Sequence, residues 1–512
     1  MTIDQNLYTA LRAAFPADLD GIAIETADGA PLYYTWRDID RATARIANLF
    51  AWLDLPAGSR IAAHCDKSVE ALLLYLAVLR AGFVYLPLNP AYQDAEVGLF
   101  LRDAEPAVVV CAARSFSWLS RAAFLAGTTH VFTLNDDRTG SLLERAAVHA
   151  DEHVPAARGS DDLAAILYTS GTTGRSKGAM LTHGNLLSNA LALKDYWDWQ
   201  RGDVLIHALP IFHVHGLFVA SHGALLNGSP MLWFAKFAPR AVVERLPEAT
   251  LFMGVPTMYV RLLAEPTLDR AACRHMRVFI SGSAPLLIET FNAFRERTGH
   301  TIVERYGMSE TLMLTSNPCR PQDGERRGGT VGFPLPGVGL RVRDDQGQLA
   351  PRGVIGDIEV RGPNVFRGYW RMPDKTRDDF TDDGWFKTGD VGRFDEDGYV
   401  ELVGRRKDLV ISGGYNVYPA EVEAFLNEVN GVAESAVIGV LHPDLGEGVV
   451  AAVVASPGAT LSADALIAGL KEKIAGFKVP KRVFVVDDLP RNAMGKVQKN
   501  VLRERYRDVF GA

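Results

Sequence analysis

Between positions 168 and 180 the chain reads YTSGTTGRSKGAM. Three glycines, a run of hydroxyl side chains, Arg175 and Lys177 are the groups that hold phosphate oxygens. Glycine lets backbone N–H groups approach closely, and hydroxyls and cations complete the shell. A Walker A loop needs G-x-x-x-x-G-K-[ST], with lysine directly after glycine and a helix starting at once. Here Gly174 is followed by Arg175, Ser176 and only then Lys177, so the loop is not Walker A. Further chemistry-bearing stretches follow in order: SGSAP (281–285), ERYGMSE (304–310), FKTGD (386–390), GRRKD (404–408), SGGYN (412–416) and PRNAMGKVQK (490–499).

The elements that must position these stretches are those of an α/β protein. Apolar, β-branched runs at 107–113 (AVVVCAA), 164–169 (AAILYT) and 277–282 (RVFISG) read as strands between helical patterns. AILY runs into the phosphate loop. Thr182 then offers a hydroxyl cap to a helix carrying Leu186, Leu187, Ala190, Leu193 and Trp197 at helical spacing. The loop is thus expected to join a strand to a helix, with several residues between. The apolar run ALLLYLAVL (71–79) lies between Glu70 and Arg80; it is far shorter than the roughly 20 residues of a membrane span and reads as a buried helix.

At 512 residues the chain is long enough for two or more domains. Its texture changes near Gly404, where a meander of turn signals gives way to GRRKDLVISGGYNVYP and then a compact α+β pattern. The expected organisation is a large domain at 1–404, a hinge at 405–407 and a small mobile domain at 408–512. A net charge of −7 argues against a general nucleic-acid binder. Cys65, Cys111, Cys273 and Cys319 form no CxxC pair, so neither zinc nor a disulfide framework is indicated, and a cytoplasmic location fits. The N-terminus lacks the pattern of a secretory signal.

Taken together and in order, these stretches resemble the acyl-adenylate-forming enzymes, the superfamily of acyl-CoA synthetases, peptide-synthetase adenylation domains and firefly-type luciferases. The resemblance spans about 168–499 and implies a fold with a large ATP- and acyl-binding domain and a small mobile one. It implies ATP and Mg²⁺ as cofactors and coenzyme A as co-substrate. The phosphate loop would contribute Thr169, Ser170, Gly171, Thr172, Thr173, Gly174 and Lys177. Ser283, Ala284 and Pro285 would flank the adenine, with Glu304, Arg305, Tyr306, Gly307, Met308 and Ser309. Glu310, with Thr172, would hold the metal. Asp390 would take the ribose hydroxyls, and Arg405 the ribose and phosphate. Lys407 would be the hinge and Lys496 the mobile catalytic lysine. Gly413, Gly414 and Tyr415 would serve the thioester step, because a glycine loop can approach closely.

The implied chemistry explains the residue types. A carboxylate is a poor acyl donor until attack on the ATP α-phosphate converts it to a mixed anhydride with AMP. Charge then builds on phosphate oxygens, where a metal on Glu310, hydroxyls such as Thr172 and a lysine are the required stabilisers. Of two nearby histidines, His213 and His215, the resemblance puts His213 beside the α-phosphate region, and no further ligand cluster supports a zinc site.

Two arginines speak to the acid. A fatty acyl pocket needs only apolar lining, yet Arg261 follows VPTMYV and Arg305 sits inside ERYG. Guanidinium binds carboxylate through two parallel hydrogen bonds, so a substrate with a second carboxylate makes sense of both. With HALPIFHVHGL, FMGVPTMYVRLL and VERYGMSETLMLTSNP, this pattern is similar to the malonyl-CoA synthetases, which implies malonate as the acid. Val214 and Met308 would then border the carbon between the carboxylates, and a methyl group there, as in methylmalonate, is an open question. The alternatives are a ligase for another small, aryl or medium-chain acid, with Arg261 a surface residue and Arg305 an ion-pair partner of Glu304 or Glu310, an adenylation module for a separate carrier chain, and a non-catalytic adenylate sensor. A lysine acetyltransferase and deacetylase acting on Lys496 would be further partners, switching the first step by removing its charge.

Overall fold

The computed structural model describes residues 5–169, 176–492 and 495–511. By contacts between residues the chain divides into two compact units: Met1–Gly339 with Arg361–Phe386, and Leu340–Val360 with Lys387–Ala512. The small four-stranded sheet before Gly404 therefore groups with the C-terminal part. The expected hinge at 405–407 falls inside the second unit, on the last residue of strand Val400–Arg405 and the first two of the short 3-10 turn Arg406–Asp408.

The first unit is α/β, as its alternating pattern predicts, and holds two sheets. A six-stranded sheet runs His130–Thr133, Val108–Cys111, Arg60–His64, Val84–Pro87, Leu163–Thr169, Lys177–Thr182. All its pairs are parallel except the last. Two-sided burial is what parallel strands require, and Val108–Cys111 and Val84–Pro87 are buried throughout. Helix Val69–Arg80 is buried along its whole length, as the apolar run predicts. The phosphate loop, however, does not lead from strand to helix. Lys177–Thr182 is itself a strand, antiparallel to Leu163–Thr169, with Thr169 opposite Lys177. Only then does Thr182 close a capping box on helix His183–Tyr196.

A nine-stranded sheet supplies the other scaffold, with Val303–Met308, Val278–Ser281, Leu251–Gly254, Leu205–His207 and Met231–Trp233 adjacent and parallel at its centre. In open parallel sheets ligands bind beyond the carboxyl ends of the strands. His207, Gly254 and Ser281 close three of these strands, and the candidate segments 208–215, 255–261 and 282–285 follow them.

The second unit contains the four-stranded sheet Gly339–Arg343, Gly356–Arg361, Phe386–Phe394, Val400–Arg405, and a five-stranded sheet built on the long hairpin Val432–His442 and Gly446–Ala455. Helices Pro419–Asn427 and Ala463–Lys471 bury Val422, Leu426, Leu466 and Leu470 in a core with Val437, Val449 and Val453.

Candidate active site

Strand Val303–Met308 presents Glu304 and Arg305 to opposite faces, and both are buried. Arg305 is 3% exposed, and its Nε and Nη2 have no hydrogen-bond partner. Among the described residues no carboxylate pairs with it, so the ion-pair alternatives with Glu304 and Glu310 are not what the structure contains. Burial pulls its pKa down to about 9, with Tyr259 acting weakly the other way. A guanidinium so placed is costly unless something pairs with it. Gly282 makes room for it: a Cβ there would stand 2.5 Å from the Arg305 guanidinium carbon.

His215 lies on the same side. It is fully buried, its Nδ1 is 3.4 Å from Ser283 Oγ and its Nε2 has no partner. Burial first, then the charge of Arg305, hold its pKa well below the ordinary range, so this imidazole is neutral. Ser283 itself has a left-handed φ of +75°, an uncommon conformation for a non-glycine that marks a backbone held by its surroundings. Val214 is buried and His213 half-buried at the start of the same segment. Arg261, by contrast, is exposed on helix Pro256–Leu263, whose buried face is Tyr259 and Leu262. The structure gathers Arg305, His215, Gly282 and Ser283, and does not place Arg261 in a pair with any described carboxylate.

Glu304 accepts from the backbone N–H of Leu286 at 3.0 Å, tying its strand to the 282–286 loop, while its Oε2 is buried without a partner. Burial pushes its carboxyl up to about 8. Tyr306 is buried, and Gly307, Met308 and Ser309 are half-buried. Gly307 allows a close approach, since a Cβ there would lie 2.0 Å from the Leu312 carbonyl. Ala284 is half-buried and Pro285 exposed.

Glu310 is 5% exposed, and one carboxylate oxygen accepts from Tyr369 Oη at 3.1 Å. Lys177 lies 4.2 Å over the Tyr369 ring and 3.7 Å from Asp379. Burial lowers the Lys177 pKa, while Asp379 and then Glu310 hold it up. Tyr369 and Asp379 are functional candidates that sequence reasoning missed. They arrive because Gly368 and Trp370 pair through their backbones with Met180 and Gly178, extending the strand Lys177–Thr182. Thr169 is half-buried at the head of the hairpin. Ser170, Gly171, Thr172, Thr173 and Gly174 lie outside the described residues.

In the second unit, Asp390 and Arg405 face each other across an antiparallel pair, with Nε 2.6 Å from Oδ1. Part of the Lys496 side chain reaches solvent, yet protein atoms crowd its ammonium. That burial lowers its pKa, as does the charge of Arg405, and Asp390 opposes both. Lys407 is exposed. Gly413 and Gly414 form the two-residue turn between strands Val410–Ser412 and Tyr415–Val417, both at positive φ (59° and 82°). Glycine is required there by the turn conformation, since a Cβ on Gly414 would meet nothing within 4 Å. Tyr415 is exposed and stacks on Phe477 at 4.7 Å. No cluster of three metal-ligating side chains occurs among the described residues.

This fold, with this succession of sites, is that of an adenylate-forming enzyme, and the chain belongs to the AMP-binding enzyme family. That family matches residues 19–370, and its C-terminal domain matches residues 421–496. Among curated relatives, a malonate–CoA ligase of Arabidopsis thaliana is 33% identical, over 98% of this chain and 89% of that protein. The crystal structure of ATP-bound MatB from Rhodopseudomonas palustris is 53% identical, covers 99% of this chain and all of that one, and superposes with a TM-score of 0.95. A benzoate CoA ligase from Burkholderia xenovorans LB400 is 27% identical, covers 97% of this chain and 99% of that one, and has a TM-score of 0.87.

Proposed function

We propose that the protein is an AMP-forming malonate–CoA ligase, converting ATP, malonate and CoA to malonyl-CoA, AMP and diphosphate through malonyl-AMP. The observation that carries this reading is Arg305: a guanidinium 3% exposed, with two unpartnered nitrogens, behind the acyl-pocket segment. A monocarboxylate ligase has no use for such a group, whereas the distal carboxylate of malonate would satisfy it. The malonate–CoA ligase among the relatives and the likeness to MatB support it.

In the first half-reaction one malonate carboxylate, already ionised, attacks the α-phosphorus. The P–O bond to diphosphate breaks and malonyl-AMP forms. Arg305 holds the other carboxylate, neutral His215 and Val214 wall the pocket, and Glu304 fixes the 282–286 loop beside the adenine. Glu310 is a single buried carboxylate oriented by a hydroxyl. That fits Mg²⁺, which takes one or two protein carboxylates and completes its shell with phosphates and water. The ion, held by Glu310 with Thr172, would supply charge neutralisation at the phosphate oxygens. Asp390 and Arg405 take the ribose side, and Lys496 is the cation of the first step. In the second half-reaction the CoA sulfur attacks the acyl carbon and AMP leaves. The Gly413–Gly414 turn, with Tyr415, serves that step, and Lys407 is the pivot between the two. Arg261 is assigned a supporting role toward the distal carboxylate. Acetylation of Lys496 would abolish its charge and the first step. Cys65, Cys111, Cys273 and Cys319 are free, which fits a reducing compartment and supports action in the cytoplasm. Among the described residues no helix is long and apolar enough to cross a membrane.

Diphosphate release measured over a panel of acids, with and without CoA, tests this reading. Malonate is expected to exceed acetate, butyrate and benzoate, with methylmalonate below it by the modest factor a single methyl commands. A monocarboxylate ahead of malonate would remove the dicarboxylate assignment.

A further inference from the structure

A second cation, half-buried, meets the strand Leu205–His207 that leads into the acyl-pocket segment. Lys67 follows strand Arg60–His64, and its Nζ lies 2.8 Å from the His207 carbonyl and 3.0 Å from His207 Nδ1. It also sits 4.4 Å over the Trp233 ring, on which the His207 imidazole stacks at 4.5 Å. The other imidazole nitrogen, Nε2, is 2.9 Å from the Gly216 carbonyl and 3.0 Å from Ser221 Oγ, and Ser221 donates to that same carbonyl at 3.0 Å.

A carbonyl can only accept, so His207 must carry its proton on Nε2. Nδ1 is then bare, and Lys67 is the donor that satisfies it, together with the carbonyl of the same residue. His207 is buried and neutral: burial, then the neighbouring Lys67, hold its pKa far down. Burial lowers the Lys67 pKa as well, and Asp28 opposes that shift. Gly216 and Ser221 belong to the π-helical turn His215–Ser221. Such turns break the ordinary i to i−4 pattern and recur at functional sites. Gly216 is also wedged against the preceding loop, since a Cβ there would lie 2.0 Å from the Pro210 carbonyl.

We infer that Lys67 is a positioning residue for the acid: through His207 it pins the Gly216 carbonyl and so sets where His213, Val214 and His215 stand in the acyl pocket. The inference rests on the assignment of that segment to the acid. It adds a group from a different segment, the loop after strand Arg60–His64, that touches no substrate.

The test combines kinetics and histidine NMR on the full-length enzyme. Lys67→Met keeps the apolar stem and removes the donors. It is expected to lower kcat/KM for malonate by about tenfold to a hundredfold, the cost of a small misplacement of reacting groups, while KM for ATP stays within about twofold. In ¹⁵N-histidine spectra, with the His207 signal assigned by its loss in His207→Gln, the wild type should show a neutral Nε2–H tautomer. Lys67→Met should shift it toward a mixture. Equal losses for ATP and acid, or unchanged acid kinetics in folded Lys67→Met, would overturn the inference. Should that variant not fold, the wild-type spectrum still decides, because an Nδ1–H tautomer or a protonated ring removes the mechanism. If the acid panel selects an acid other than malonate, the same ratio is read with that acid, so the two readings fail separately.

Discussion

The hydroxyl of Tyr369 donates to Glu310 Oε1 at 3.1 Å, while the same ring carries the Lys177 ammonium on its face at 4.2 Å. One aromatic side chain thereby links the second strand of the phosphate hairpin to the carboxylate assigned to the metal.

Removing only that hydroxyl tests the link. Tyr369→Phe keeps the ring for Lys177 and for Phe366, 4.8 Å away. A hydrogen bond to a charged group is worth about 1.5–3 kcal/mol, so the concentration of Mg²⁺ giving half-maximal diphosphate release should rise by about tenfold or more. Direct titration of Mn²⁺ into the ATP complex, followed by electron paramagnetic resonance, should show the same weakening without any turnover. An unchanged metal requirement would confine Tyr369 to packing.

Arg305→Met should separate stability from activity. An unpaired buried charge replaced by an apolar side chain of similar length is neutral or stabilising by about 1–4 kcal/mol. The melting temperature of the ligand-free variant should therefore equal or exceed that of the wild type, while kcat/KM for malonate falls by about a hundredfold or more and KM for ATP holds. In the wild type, Arg305 is protonated below its folded pKa of about 9. KM for malonate should climb as pH passes that value, and KM for ATP should not. Because the folded pKa is depressed, the unfolded chain binds more protons above about pH 9, so this group adds stability as pH rises there. Arg305→Met should lack that increment.

Glu304 should leave an opposite signature. Its folded carboxyl titrates at about 8 against an ordinary 4.5. Between those values the native state holds the extra proton, so stability falls as pH rises through the window, and the loss is complete above about 8. Glu304→Gln retains an acceptor for the Leu286 N–H and cannot ionise. Its melting temperature relative to wild type should be higher at pH 9 than at pH 6. Parallel curves for the two proteins would show that Glu304 is already ionised at neutral pH.

Much of this was legible in the chain. The strands at 108–111, 163–169 and 278–281, the Thr182 cap and the α+β character of the C-terminal part follow from local patterns of two or three residues' reach. Arg305 stands out in the sequence together with Arg261, as an arginine where a fatty acyl pocket needs only apolar lining; that Arg305 is buried and unpartnered while Arg261 is exposed is a property of packing. Lys177–Thr182 escaped as a strand because six residues after a glycine loop carry little periodicity of their own, and their pairing is supplied by Leu163–Thr169 and by 368–370. Tyr369 and Asp379 were invisible for the same reason: Tyr369 is 59 residues from Glu310, and nothing local signals the meeting. Gly413 and Gly414 stand out in the sequence as a glycine pair, and the structure adds a local reason for them in the positive φ values of the turn.

Lys496→Ala is expected to divide the two half-reactions. Diphosphate release should collapse, whereas thioester formation from supplied malonyl-AMP should survive at a substantial fraction of the wild-type rate, because no charge builds on diphosphate in that step. Equal losses in both assays would place Lys496 in a role common to both.

Gly282 and Arg305 also bear on how wrong acids are turned away. Gly282 leaves the room that the guanidinium occupies, and under the proposed function its two unpartnered nitrogens are what an incoming acid must satisfy. An acid with one carboxylate would cap it with hydrocarbon and strip its remaining access to water, so acetate or butyrate would be expelled by the pocket rather than merely held less well. Discrimination of this kind grows as the site dries.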